Sequence, residues 1–367
     1  MKKIPFVDLK IQYNNIKDEI DYAIQSVIDD TAFIKGKYVQ KFENDFKKKY
    51  GVKHCISCAN GTDAIYISLK ILNIGVGDEV ITVSNSWIST SETISQTGAK
   101  PVFIDINDYY NIDISKIEKK INSKTKAIIP VHLYGQPAEM DTIKKICDKY
   151  KLFLIEDCAQ AHFAKWDKKN VGTMGHLGTF SFFPGKNLGA YGDAGCIITN
   201  DDKLAEKAKM FANHGSLVKH KHKIEGINSR LDGLQAAILS VKLKYIDEWT
   251  ELRIRNAELY TELLLNIKNV KVPQIHSNVK HVFHLYVIRC ENRDKLKKYL
   301  NANGVSTAIH YPSPLPLLKA YDYLKLDKNE YFISNSYKNQ ILSLPMFPEL
   351  LKDDIIYITD LIKDFYK

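Results

Sequence analysis

From about residue 50 to residue 215, short apolar runs alternate with stretches whose apolar residues recur every three or four positions. Glu79–Ser84, Pro101–Asp105, Ala127–His132, Leu152–Asp157, Thr179–Phe183 and Gly195–Thr199 have the length and the flanking turn residues of buried strands. Thr62–Leu72, Met140–Tyr150 and Asp202–Ala212 carry the helical period between them. Strand and helix in repetition predict an α/β fold, with a parallel or mixed sheet covered on both faces. A longer helical tract, Asp232 to about Leu265, then leads into a smaller α+β unit at roughly 270–367. Its strand candidates are His284–Arg289 and Ser306–His310, and Pro312, Pro314 and Pro316 predict a shaped loop. The expected division is a large domain at 1–245 and a small C-terminal domain at 246–367.

Composition narrows the class. The 367 residues are 45% hydrophobic and 26% charged, the profile of a soluble globular chain with a full core. The 52 basic and 43 acidic side chains leave a formal +9, spread along the chain rather than gathered in one stripe. That pattern suits a solvated surface and gives no sign of a nucleic-acid groove. Cys55 and Cys58 spell C-x-x-C, but no second pair completes a zinc site, so both read as buried strand thiols and no metal is expected. The N-terminal residues lead into no signal-peptide core, and no apolar run approaches the ~20 residues that cross a bilayer. A reduced cytoplasm is the expected location.

The candidate chemistry collects where the predicted strands end, which is where ligands bind in such sheets. Lys186 lies in Phe182-Phe183-Pro184-Gly185-Lys186-Asn187-Leu188-Gly189, a tight turn after an apolar strand, with small residues leaving room around its amine. Asp157 ends the strand before Cys158-Ala159-Gln160. A lysine able to form a Schiff base and an aspartate able to hold a pyridinium nitrogen are what pyridoxal 5'-phosphate requires. Gln160 is placed to bond the ring's phenolic oxygen, and Trp87 to stack on the ring. Asn60-Gly61-Thr62-Asp63-Ala64 opens a helix whose free amides and dipole suit a phosphate, and Ser181 adds a hydroxyl.

These residues stand within a wider pattern. Ile4–Leu9, Asn60–Ala64, Gly98–Phe103, Val131-His132-Leu133-Tyr134-Gly135, Glu156–His162, Ser181–Gly189, Asn228–Asp232 and His310-Tyr311-Pro312 together resemble the DegT/DnrJ/EryC1/StrS family of sugar aminotransferases. The resemblance spans essentially the whole chain. It implies the fold type I (aspartate aminotransferase-like) architecture, a mostly parallel sheet sandwiched by helices. It also implies that Lys186 binds the cofactor covalently and transfers protons, that Asp157 holds the pyridinium, and that Thr62, the Asp63 amide and Ser181 bind the phosphate. Asn228 matches a residue that reaches the phosphate of a neighbouring subunit, which implies a homodimer with shared sites. His162 matches a histidine that faces the sugar in some members. L-glutamate is the amino donor expected from the family.

Two departures bear on specificity. Phe163 replaces the glycine that usually follows Gln-Ala-His, and Pro316 and Leu318 stand where a later histidine and glutamine are common. The stretch Phe182–Asp193 is similar to members that aminate carbon 3 of a dTDP-linked 3-keto-6-deoxyhexose. Amination at carbon 4 of a 4-keto sugar is the alternative. A sugar dehydratase is disfavoured by Lys186, since relatives with that chemistry carry histidine there. A non-catalytic regulatory relative is disfavoured by the intact set Lys186, Asp157 and Gln160. The basic stretch Lys219–Lys223 reads equally as a solvated loop and as a surface for a diphosphate.

Overall fold

The computed structural model describes residues 2–367. Its centre is a seven-stranded sheet: β1 (His54–Cys58), β2 (Glu79–Val83), β3 (Lys100–Ile104), β4 (Thr125–Ile129), β5 (Phe153–Asp157), β6 (Leu177–Ser181) and β7 (Gly195–Thr199). The spatial order is β1-β7-β6-β5-β4-β2-β3. β6, β5, β4, β2 and β3 run parallel, while β7 is antiparallel to both β6 and β1. The expected mixed, mostly parallel sheet is therefore present.

Residue alternation explains how it is covered. Val80, Ala127, Ile129, Ile155 and Ile197 point to one face and pack with Ala64, Ile65 and Ile67 of the helix Gly61–Ile71. Ile81, Val83, Ile128 and Leu154 point the other way and pack with Ile143 and Ile146 of the helix Met140–Tyr150. A strand buried on both faces has no polar positions to spare, so these runs read as continuously apolar.

A third core lies C-terminal. Val270–Lys271, Tyr286–Cys290 and Ile341–Leu344 form a three-stranded antiparallel sheet. The helices Ile246–Leu264, Arg293–Ala302 and Lys352–Phe365 pack on it through residues such as Tyr260, Leu296 and Ile358. Ile4, from the other end of the chain, joins this core and bridges to Val305.

Several elements differ from expectation. Ser306–His310 is not a strand; it makes one bridge, Ala308 to Ser343 of the buried strand Ile341–Leu344, and it is that strand which pairs with Tyr286–Cys290. The tract Asp232–Leu265 is two helices, Gly233–Lys242 and Ile246–Leu264, joined by 3-10-type bonds from Lys244 N to Val241 O and Tyr245 N to Lys242 O. Apolar periodicity runs through that joint without marking it. β4 stops at Ile129 because Pro130 has no N–H to continue the ladder. The helices Lys17–Asp29 and Lys37–Tyr50 add a layer that the strand–helix alternation does not cover. Cys55 and Cys58 are buried, free thiols on β1, as expected. Among the described residues, no helix is long and apolar enough to cross a membrane.

Candidate active site

β5 ends on two carboxylates that do different work. Glu156 is fully buried and accepts N–H groups from Gly172 (2.7 Å), Met174 (2.8 Å) and Gly175 (2.6 Å). It also meets His132 Nε2 at 3.2 Å. His132 Nδ1 accepts from Ala138 N at 3.0 Å, which assigns the ring proton to Nε2 and makes that nitrogen the donor to Glu156. This knot fixes the strand end. Asp157 is 4% exposed, with Oδ2 accepting from Thr90 Oγ1 at 2.8 Å and Oδ1 from Ala159 N at 3.1 Å. Burial raises its pKa, opposed by those two donors and by the positive charge of Lys186.

Lys186 comes from the neighbouring strand, β6, through the turn that follows it. Lys186 N donates to Phe183 O at 2.8 Å, and Ala190 N to Phe182 O at 2.7 Å. The turn is so tight that a Cβ on Gly189 would lie 2.3 Å from Pro184 O, which is why glycine stands there. Lys186 is half-buried; burial pulls its pKa down to about 8, opposed by the Asp157 carboxylate. An amine with that pKa is a free base in a useful fraction near neutrality.

The helix Gly61–Ile71 points its first turn at the end of β6. A Cβ on Gly61 would sit 2.6 Å from Ser181 Cβ, so glycine alone allows this approach. The first i→i−4 bond is Ala64 N to Asn60 O, leaving the Gly61 and Thr62 amides ahead of it at the positive end of the dipole. Thr62 Oγ1 and Ser89 Oγ are 2.7 Å apart. The expected Asp63 amide is already used: it donates to the Asn60 side chain at 2.8 Å in an N-cap. The Asp63 carboxylate instead accepts from Ser229 Oγ at 2.7 Å.

Trp87 is 59% exposed, and its ring lies 5.9 Å from that of Tyr311. Gln160 is buried, its Oε1 accepting from Tyr134 N at 2.8 Å and its Nε2 donating to Tyr311 Oη at 2.9 Å. The donor expected to meet a ring oxygen is thus directed at a phenol.

His162 departs from the sugar-facing expectation. Its imidazole has no exposed surface, lies against Phe180 and Phe182 with centroids 5.6 Å away in each case, and has neither ring nitrogen paired. Burial, with repulsion from Lys186, holds its pKa at about 3, so it is a neutral ring packed in the aromatic cluster. Asn228 is exposed on a loop held by the Asn213–Asn228 bridge, next to the buried Ser229 that anchors to Asp63 and Ala59.

Thr90 and His284, which sequence patterns did not single out, belong here, and so does Tyr311 of the His310-Tyr311-Pro312 motif, to which the sequence alone gives no role. Thr90 pairs with Asp157, and Tyr311 pairs with Gln160. His284 meets Asn187 Oδ1 through Nδ1 at 3.2 Å, and its pKa falls well below the ordinary value through burial and then through the charge of Lys186. Thr90 and His284 are ordinary residues on helical and apolar stretches, and only tertiary packing brings them to the site.

The family model for the DegT/DnrJ/EryC1/StrS aminotransferases matches residues 14–363. The chain belongs to this family. A "Pleiotropic regulatory protein" of Geobacillus stearothermophilus is 45% identical over 99% of both chains. The dTDP-3-amino-3,6-dideoxy-alpha-D-galactopyranose transaminase of Aneurinibacillus thermoaerophilus is 42% identical, again over 99% of both. Among solved structures, S. venezuelae DesV in complex with a ketimine intermediate superposes with a TM-score of 0.98 at 36% identity, covering 100% of this chain and 99% of that one. The architecture expected of the DegT/DnrJ/EryC1/StrS aminotransferases is the one observed, and the chain is an aminotransferase.

Proposed function

We propose that this aminotransferase uses pyridoxal 5'-phosphate to move an amino group from L-glutamate to carbon 3 of a dTDP-linked 3-keto-6-deoxyhexose. The observation that carries the reading is that the adjacent ends of β5 and β6 bring the amine of Lys186 and the buried carboxylate of Asp157 together, with the Gly61 helix start beside Ser181. These residues fit the cofactor on chemical grounds. A buried carboxylate is costly unless a cation faces it, and a pyridinium nitrogen is one. The Gly61 and Thr62 amides and the Ser181 hydroxyl are donors for a phosphate, and the open face of Trp87 is a stacking surface.

When bound, pyridoxal phosphate supplies an electron sink joined to the carbon that gains or loses the amino group. Asp157, fixed by Thr90 and Ala159, would hold the ring nitrogen in its protonated form. Lys186 would hold the cofactor's carbonyl end, and its free amine, once released, would serve as the base and acid that carries the proton. Gln160 orients the ring's oxygen side, with Tyr311 holding the amide in place. His162, without exposed surface, contributes packing beneath the lysine turn.

The carbon 3 reading rests on the Phe182–Asp193 stretch and on the named substrate of the A. thermoaerophilus relative. We further infer a homodimer in which Asn228 serves the partner's phosphate, its exposure leaving it available. The product suits cell-surface polysaccharide or lipopolysaccharide synthesis, with the enzyme in the cytoplasm. The test is a panel of nucleotide-linked 3-keto and 4-keto sugars with glutamate, read by product analysis. Amination of a 3-keto sugar supports the reading. Amination of 4-keto substrates alone would move it to carbon 4, and no amination of any, with no visible absorbance from a lysine-linked cofactor, would favour the regulatory role named for the G. stearothermophilus relative.

A further inference from the structure

Lys242 is the last residue of the helix Gly233–Lys242, and its side chain has no exposed surface. Its Nζ donates to Gly189 O at 2.8 Å and lies 4.3 Å from the centroid of the Tyr191 ring. Gly189 closes the same turn that carries Lys186, where its backbone is pressed against Pro184 O. On the other side of that turn, Asn187 donates to Val282 O at 3.0 Å and meets His284 at 3.2 Å. The turn is therefore gripped from two elements remote in sequence. The side-chain carboxylate nearest in charge to Lys242 is Glu349, which also attracts Arg253. Arg253 is committed to the carbonyls of Phe283 (3.2 Å) and Met346 (2.9 Å).

A lysine with no exposed surface is costly, and burial, opposed by the charge of Glu349, draws the pKa of Lys242 down to about 8. A methionine of similar size would fill the space without that cost. What the amine adds is a short, directed donor to a buried carbonyl, a strong contact in a dry setting.

We propose that Lys242 is a positioning residue that locks the Lys186 turn through Gly189, so that the lysine amine is held in its desolvated place facing Asp157. The proposal rests on the reading of Lys186 as the reactive amine, and it acts on the protein before any cofactor binds. Without the Gly189 contact, residues 183–189 gain room to breathe and Lys186 gains water. Its pKa then rises toward that of an ordinary lysine, and it becomes a poorer nucleophile near neutral pH.

The test uses the full-length chain without cofactor and the variant Lys242→Met. Hydrogen exchange is followed at the Lys186 and Ala190 amides, with β7 (Gly195–Thr199) as the internal reference. The rate at which Lys186 links to added pyridoxal phosphate is measured by visible absorbance across pH. The expected result is turn exchange about tenfold faster with β7 unchanged, and a midpoint for linkage moved upward from about 8. Wild-type exchange and a wild-type midpoint in the folded variant would overturn the proposal, as would loosening equal in β7 and the turn, which marks a general loss of stability. If Lys242→Met does not fold, Lys242→Gln, whose polar end falls one bond short, is judged by the same two criteria. If the wild-type chain never links to pyridoxal phosphate, the cofactor reading fails, while exchange in the turn still decides the role of Lys242.

Discussion

At the floor of the candidate site, Asp157, Gln160, Ser181 and Lys186 all leave the ends of two adjacent strands, β5 and β6. At its C-terminal wall, His284, His310 and Tyr311 arrive from beside the Tyr286–Cys290 strand and from the loop that follows Ala308. The two regions differ in charge as well as origin. The floor sets a lysine with a pKa near 8 against a buried carboxylate. The wall is uncharged at neutral pH: burial, and then Lys186, hold His310 at about 4, and burial pushes the Tyr311 phenol up. The floor is thus suited to moving protons and holding a cation. The wall is suited to reading a ligand through neutral hydrogen bonds, which are individually weaker.

That contrast predicts a graded series of effects. Lys186→Ala removes both the covalent anchor and the proton carrier, so the amination rate is expected to fall by about 10⁴-fold, with no visible absorbance from a lysine-linked cofactor. Normal turnover by this variant would end the assignment of Lys186. Asp157→Asn keeps the shape and the Thr90 contact but removes the charge. Its glutamate half-reaction, followed in stopped flow, is expected to slow roughly 100- to 1000-fold. A rate equal to wild type would show that the floor does not work through that carboxylate.

On the wall, Tyr311→Phe takes away the oxygen that accepts from Gln160 Nε2. The loss of one neutral hydrogen bond is expected to cost about 1 kcal/mol, or roughly fivefold in kcat/KM. A loss as deep as that of Asp157→Asn would erase the distinction between the two regions. The smallest effect is one of pH. Only the free amine of Lys186 reacts with added cofactor, so the linkage rate of the apoprotein should climb with pH and level off above about 8. A rate still climbing toward 10.5, the ordinary lysine value, would mean that the floor does not desolvate its lysine.

Local sequence carried much of the floor. The strand endings at Asp157 and near Ser181, the glycines 61 and 189, and the turn around Lys186 are all short-range features, bounded by strand and helix signals that neighbouring residues create. The Asp63 amide shows how local chemistry can also mislead: the helix start was legible, but the adjacent Asn60 side chain takes one of its donors as a cap. His162 misled for a different reason. Its match to a family histidine that faces the sugar suggested the site, yet the loop turns it into the Phe180–Phe182 cluster.

What the sequence determined by itself is the alternation that builds the sheet and the residues that must stand at its strand ends, because periodicity and turn chemistry act between neighbours. What only the tertiary structure decided is the company those residues keep. Thr90 on Asp157, Tyr311 on Gln160 and Lys242 on the lysine turn are joined across 67, 151 and 53 residues of chain. No local preference marks such pairs; they form because apolar packing brings the elements together and a buried donor must then find an acceptor.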